Sequence, residues 1–391
     1  MKLASRITAV KPSATLAVNA KAQEMRSKGQ EIVSLAVGEP DFKTPEHIKE
    51  ALKEALDRDF TRYTAVPGLA EVRESVAGYF NRHYGAGAKS GEVMISNGGK
   101  QCLYNLFQVL LDPGDEVLIP CPYWVSYPDM VVLAGGRPVP VISGAENEFS
   151  LSVDLLEKMV TPRTRLLILN SPSNPTGRCY TQDELEKFLN WARKRNIFVV
   201  SDEIYDQLVY APNKPASLSR VWKKCADNLA VVNGLSKSFA MTGLRAGFVL
   251  ADEELIKAMS KLQGQSTSNV CTAVQKGIQA ALDGPEDFVR EMRESLGRRR
   301  DKAWEMLKDW PGLVCPKPEG AFYLFPRVDG CLGDAWPGSV EICGRILEEA
   351  GVALVPGAAF GDDACLRISY AVSDAVLERA LTQVRKVICS G

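Results

Sequence analysis

Short runs of Val, Ile and Leu alternate with stretches whose apolar residues recur every three or four positions through the middle of the chain. They predict strands over 92–96, 116–120, 137–142, 166–170, 197–201, 229–232 and 246–250, with helices over 100–111, 123–134, 153–160 and 182–195 between them. Strands that are apolar throughout, rather than on alternate positions, are covered on both faces. The expected architecture is therefore α/β: a mostly parallel central sheet with helices on either side. Before this series, Ser13 caps a helix running to about Lys28, residues 31–37 form a strand, and Thr44 caps a helix with Pro45 at its first position. An amphipathic helix over 69–84 follows. After residue 252 the pattern changes. Helices over 253–262, 273–282 and 286–310 precede short strands over 321–325, 353–355 and 366–370, with helices over 339–350 and 374–388. The expected division is a large domain over 45–285 and a smaller α+β domain built from 1–44 and 286–391.

Composition narrows the function by exclusion. With 391 residues, 46% hydrophobic, 24% charged and net charge −1, the chain carries no charge excess to recommend nucleic acid or an anionic membrane as partner. No stretch is long and apolar enough to span a bilayer, and the first residues have no secretory h-region. The ten Cys are scattered without C-x-x-C spacing, which points to thiols in a reducing cytoplasm. His47 and His83 are the two histidines, a poor basis for a metal site or a triad, so none is expected. Arg298-Arg-Arg300 lies among acids on a predicted helix and reads as a solvated face.

Four segments place chemistry where ligands bind in α/β sheets, beyond the carboxyl ends of strands. In Ser96-Asn-Gly-Gly-Lys-Gln101, glycines between strand and helix let backbone N–H groups approach a phosphate. In Asn170-Ser-Pro-Ser-Asn-Pro-Thr-Gly177, two prolines stiffen a loop that holds an amide against a ligand. Val199-Val-Ser-Asp-Glu-Ile-Tyr205 puts an acid at a strand end, where a helix cap is the plain alternative. Val231-Val-Asn-Gly-Leu-Ser-Lys-Ser-Phe-Ala-Met-Thr-Gly-Leu-Arg-Ala-Gly-Phe248 delivers Lys237 from the end of a buried strand. A loop lysine is ordinarily solvated, but partial burial would lower its pKa and free the amine as nucleophile and proton shuttle. Arg367, within a predicted strand, calls for an anionic partner such as an α-carboxylate.

Together these segments resemble the class I, fold type I aminotransferases that use pyridoxal 5′-phosphate (PLP), in the bacterial and archaeal branch of aspartate aminotransferases. The likeness runs almost end to end and includes Lys11-Pro-Ser-Ala-Thr15, Gly38-Glu-Pro-Asp-Phe42 and Pro122-Tyr-Trp-Val-Ser-Tyr-Pro128. The resemblance implies that Lys237 is the Schiff-base lysine and that Asp202 pairs with the pyridinium nitrogen. Asn174 and Tyr205 would hydrogen-bond the ring hydroxyl, and Trp124 would stack on the ring. Gly98, Gly99, Lys100, Ser236 and Arg245 would hold the phosphate, with Tyr63 reaching the phosphate of a neighbouring subunit in a homodimer. Arg367 and Gly38 would bind the substrate α-carboxylate. Lys100 would bind the distal carboxylate of aspartate, with Lys11 tied to additional activity on prephenate.

The implied reaction is ping-pong transfer of the amino group of L-aspartate to 2-oxoglutarate. Alternatives on the same fold are transamination of aromatic or other neutral amino acids, or a C–S lyase or aminocyclopropane-forming enzyme. A non-catalytic regulatory module is a further rival, but no residues before Ala14 are available for a DNA-binding segment. An NAD-dependent dehydrogenase would need a glycine fingerprint after its first strand, which is missing.

Overall fold

The computed structural model describes residues 3–10 and 14–389, so the expectations at Lys11 and Ser13 lie outside the described residues. Seven strands form the central sheet: β1 (Val93–Asn97), β2 (Glu116–Cys121), β3 (Arg137–Ile142), β4 (Thr164–Asn170), β5 (Phe198–Asp202), β6 (Leu229–Gly234) and β7 (Ala246–Leu250). Their order is β1-β7-β6-β5-β4-β2-β3. Only β7 runs antiparallel to its neighbours; the remaining pairs are parallel. Alternate side chains of one strand enter different cores. Leu167 and Leu169 of β4 join Val199, Val231 and Phe248 on one face, whereas Leu166 and Ile168 join Val200, Val232 and Val249 on the other. Burial on both faces is why these strands carry no polar alternation.

Register sets the position of the chemistry. Asn170 at the end of β4 lies beside Asp202 at the end of β5, and Asp202 lies beside Val232 on β6. The sheet thus presents Asn170, Asp202 and the continuation of β6 along one edge.

A second sheet has three short antiparallel strands, β8 (Tyr323–Leu324), β9 (Val355–Pro356) and β10 (Leu366–Ser369), in the order β9-β10-β8. Three expectations need correction here. The strand expected over 31–37 is confined to Val33–Ser34, which pairs in parallel with Val352–Ala353. Beyond it the backbone is shared out: Leu35 N–H donates to the Ala353 carbonyl, and the Leu35 carbonyl accepts from Ser369 N–H at 2.8 Å. The strand expected over 353–355 is split at Leu354, because Val352–Ala353 and Val355–Pro356 pair with different partners. Thr44 is not a helix cap. Its hydroxyl donates to the Ala240 carbonyl at 2.8 Å, and the helix begins after Pro45, as α1 (Glu46–Asp57). α2 (Ala70–Tyr84) ends at Gly85, whose φ of 66° is the left-handed C-cap conformation.

Candidate active site

The sheet edge opens into a cavity of about 920 Å³ that brings together Gly38, Lys100, Asp202, Lys237, Arg245 and Arg367. Its floor is built by β4 and β5. Asn170 Nδ2 donates to the Asp202 carbonyl at 2.9 Å, and Asn170 Oδ1 accepts from Asn174 N–H at 2.9 Å, so one side chain ties the Asn174 loop to the next strand. Asp202 Oδ2 accepts from Tyr127 Oη at 2.7 Å and Oδ1 from Ile204 N–H at 3.3 Å. Burial nevertheless pushes the Asp202 carboxyl up to about 6, with the two donors and Lys237 pulling the other way. A buried carboxyl in this state is ready for a cationic or N–H partner from the cavity.

Lys237 lies on a short helix, Leu235–Ser238, that continues directly from β6. Its Nζ donates to the Gly38 carbonyl at 2.5 Å and lies 6.0 Å from the centroid of the Tyr205 ring. Loss of solvent lowers the amine to about 8, so an appreciable fraction is neutral near pH 7. Tyr205 Oη in turn meets Tyr323 Oη at 2.9 Å.

On the β1 side, Gly98 (φ 82°) leads into the helix α3 (Gly99–Leu110). A Cβ on Gly98 would stand 2.5 Å from Arg245 Nη2, and one on Gly247 of β7 would stand 2.2 Å from the Gly98 carbonyl carbon. Only glycine permits this approach of helix start, strand and guanidinium. Both Arg245 hydrogen bonds go to carbonyls, Thr242 at 2.9 Å and Asn97 at 3.3 Å. Lys100 Nζ sits 4.9 Å above the Trp124 ring, and burial together with Arg245 lowers its pKa. Ser236 is buried on the same wall. Two cations beside a helix N-terminus make an anion site.

Arg367 closes the other end at 3% exposure. Nη2 donates to the Ala36 carbonyl at 2.7 Å, Nη1 to Asn174 Oδ1 at 3.1 Å, and Nε has no partner among the described residues. Because a guanidinium cannot accept, Asn174 must present Oδ1 to it, which leaves Nδ2 for the cavity. Tyr323 and Phe360 cover Arg367 at 4.6 and 5.0 Å. Burial lowers its pKa, and a carboxylate ligand would relieve that cost.

Tyr63 is 89% exposed and does not line the cavity of its own chain; Lys11 lies outside the described residues. Conversely, Tyr127, Tyr323, Glu39 and Thr242 belong to the site without having been assigned a role from the sequence. Tyr127 stands within the proline-flanked Pro122–Pro128 motif, three residues after Trp124, and that was its available signal. Tyr323 gave none, since an aromatic in a β-type run reads as core.

The donor set fits PLP: a buried carboxyl for a pyridinium nitrogen, a partly neutral amine held by a backbone carbonyl for an aldehyde, a glycine-lined cationic corner for a phosphate, and Trp124 for a ring face.

Comparison with known proteins places this geometry. The sequence model of the aminotransferase class I and II family matches residues 30–384. An aspartate/prephenate aminotransferase of Cereibacter sphaeroides is 43% identical over 396 residues, covering 100% of this chain and 99% of its own. An aspartate aminotransferase of Bacillus subtilis is 42% identical over 389 residues, covering 99% of each chain. Among solved structures, an aspartate aminotransferase from Thermus thermophilus with maleate superposes with a TM-score of 0.94 at 42% identity, over 99% of this chain and 100% of that one.

Proposed function

The chain belongs to the class I and II aminotransferases, enzymes that use PLP, and we infer that it moves the α-amino group of L-aspartate to 2-oxoglutarate, giving oxaloacetate and L-glutamate. When bound, PLP supplies an aldehyde that takes up an amino group and a protonated ring that draws off the electron pair left when the substrate Cα–H bond breaks.

In this reading Lys237 tethers the cofactor through Nζ. Gly98, Gly99, Lys100, Ser236 and Arg245 hold its phosphate, and Trp124 lies against the ring. Asp202 keeps the ring nitrogen protonated, with Tyr127 fixing the carboxylate. Tyr205 and the Asn174 amide donate to the ring hydroxyl. Arg367 and the Gly38 backbone orient the substrate by its α-carboxylate, and Lys100 takes the distal one. Freed by substrate, Lys237 Nζ removes the α-proton and later returns it. The observation that carries this account is Arg367, a buried guanidinium with no carboxylate partner among the described residues, in the same cavity as an amine that burial makes less basic and so partly neutral near pH 7.

Additional activity on prephenate is supported by the Cereibacter sphaeroides relative, an aspartate/prephenate aminotransferase, and we infer that Lys11 serves it. We further infer a homodimer in which Tyr63, exposed in the single chain, reaches the partner's phosphate. A division into 45–285 and 1–44 with 286–391 is supported by the pairing of Val33–Ser34 with Val352–Ala353. Ten free thiols support a cytoplasmic location.

Half-reactions with aspartate, glutamate, tyrosine, alanine and arogenate, followed by cofactor colour, test the reading. Aspartate should bleach the cofactor fastest, and aspartate with 2-oxoglutarate should give oxaloacetate and glutamate in equal amounts. Pyruvate with ammonia would instead show a lyase.

A further inference from the structure

With Lys237 taken as the cofactor-bearing amine, the residue next to its backbone acceptor acquires a role. Gly38 holds Lys237 Nζ by its carbonyl at 2.5 Å. Glu39 follows, and its Oε2 accepts from the Thr242 hydroxyl at 2.6 Å. Thr242 stands in the turn between Lys237 and Arg245. The N-terminal segment therefore grips the lysine loop twice, once at the amine and once five residues further on, and both contacts line the cavity. Among the described residues no Lys or Arg nitrogen pairs with Glu39 within 4 Å, so its charge is uncommitted.

The charged groups facing Lys237 are Glu39, Arg367, Arg245 and Asp202, with the Tyr205 ring beside the amine. Burial and the two arginines disfavour the ammonium; Glu39 opposes them more strongly than Asp202 does. Asp202 is already engaged by Tyr127 and the Ile204 N–H. That leaves Glu39, held by the Thr242 hydroxyl, to serve the lysine.

We propose that Glu39 is a positioning residue for Lys237: anchored by Thr242, its carboxylate is the counter-charge for the ammonium formed when the free amine takes up the α-proton, while the Gly38 carbonyl holds that amine in place. The proton comes from the substrate Cα–H, whose electron pair stays behind on carbon, and Lys237 later gives it back. Glu39 neither gains nor loses a proton in this exchange.

The test uses the full chain in its pyridoxamine 5′-phosphate form, in which the lysine is free. Trace acetylation of Lys237 is followed against pH by mass spectrometry. The parent should show a midpoint below that of a solvent-exposed lysine. Glu39→Gln should lower it, raising the labelling rate at pH 7 roughly three- to tenfold. Glu39→Asp should restore most of the parental profile. Thr242→Val, which keeps the charge but frees it, should fall between and gives an independent reading if the Gln variant does not fold. Parental midpoints in Glu39→Gln or Thr242→Val would overturn the proposal. A chain that forms no borohydride-stable adduct with PLP at Lys237 would fail on the underlying reading instead.

Discussion

Asp202 shows how much a single side chain here depends on its neighbours. Its carboxyl is raised to about 6 by burial, and the Tyr127 hydroxyl is the leading influence holding it down. Tyr127→Phe removes one charge-assisted hydrogen bond, about 1–2 kcal/mol. PLP affinity, measured by titrating the cofactor-free chain, should fall roughly tenfold, with little change in the Michaelis constant for aspartate. Glu203, next along, differs in purpose. Its Oε1 accepts from Ser201 Oγ at 2.8 Å and Leu218 N–H at 3.0 Å, but Oε2 has no partner among the described residues, and burial raises it to about 8. A carboxyl raised in the folded state contributes stability that is fully present below its unfolded value and lost as pH climbs through the folded one. The window is therefore about 4.5 to 8. Glu203→Gln, a mimic of the protonated form, should melt a few degrees higher than the parent at pH 9 and no higher at pH 4. Equal shifts at both pH values would refute the assignment.

At the scale of elements, the approach of β7 to the start of α3 decides the phosphate corner. Gly247→Ala drives a Cβ into the Gly98–Gly99 backbone, where no flexible side chain can yield. A destabilisation on the order of 3 kcal/mol is expected, together with at least a hundredfold loss of PLP affinity. Near-parental cofactor binding would contradict the cradle. The elements that position this corner were legible in the sequence for a physical reason. Apolar residues run without polar alternation through the buried parts of β4 to β7 because both faces are covered, and that pattern survives without knowledge of partners. The sites at the ends of those strands, Asp202, Lys237 and the Asn174 loop, were legible with them. Short pairings were not. Val33–Ser34 and Val355–Pro356 owe their extent to which neighbour claims each N–H and carbonyl, a tertiary matter that no local run records. Tyr127, Tyr323 and Glu39 escaped for a similar reason: each acts through a residue on a distant element, Asp202, Tyr205 and Thr242 respectively.

For the whole molecule, Tyr63 bears on assembly. It is 89% exposed in the single chain and does not line its own cavity, so the role proposed for it is one in the site of a second copy. Co-expressed Tyr63→Ala and Lys237→Ala chains should then form a hybrid dimer with one intact site, recovering about half the parental rate per dimer. A hybrid no more active than the Tyr63→Ala parent would show that Tyr63 serves its own chain or none. All of this presumes that one amine carries the cofactor, and borohydride reduction of the PLP-loaded protein followed by peptide mapping tests that directly. The account predicts a phosphopyridoxyl adduct on Lys237, close to one per chain, and none after Lys237→Ala. An adduct on another lysine, or no adduct at saturating PLP, would contradict it.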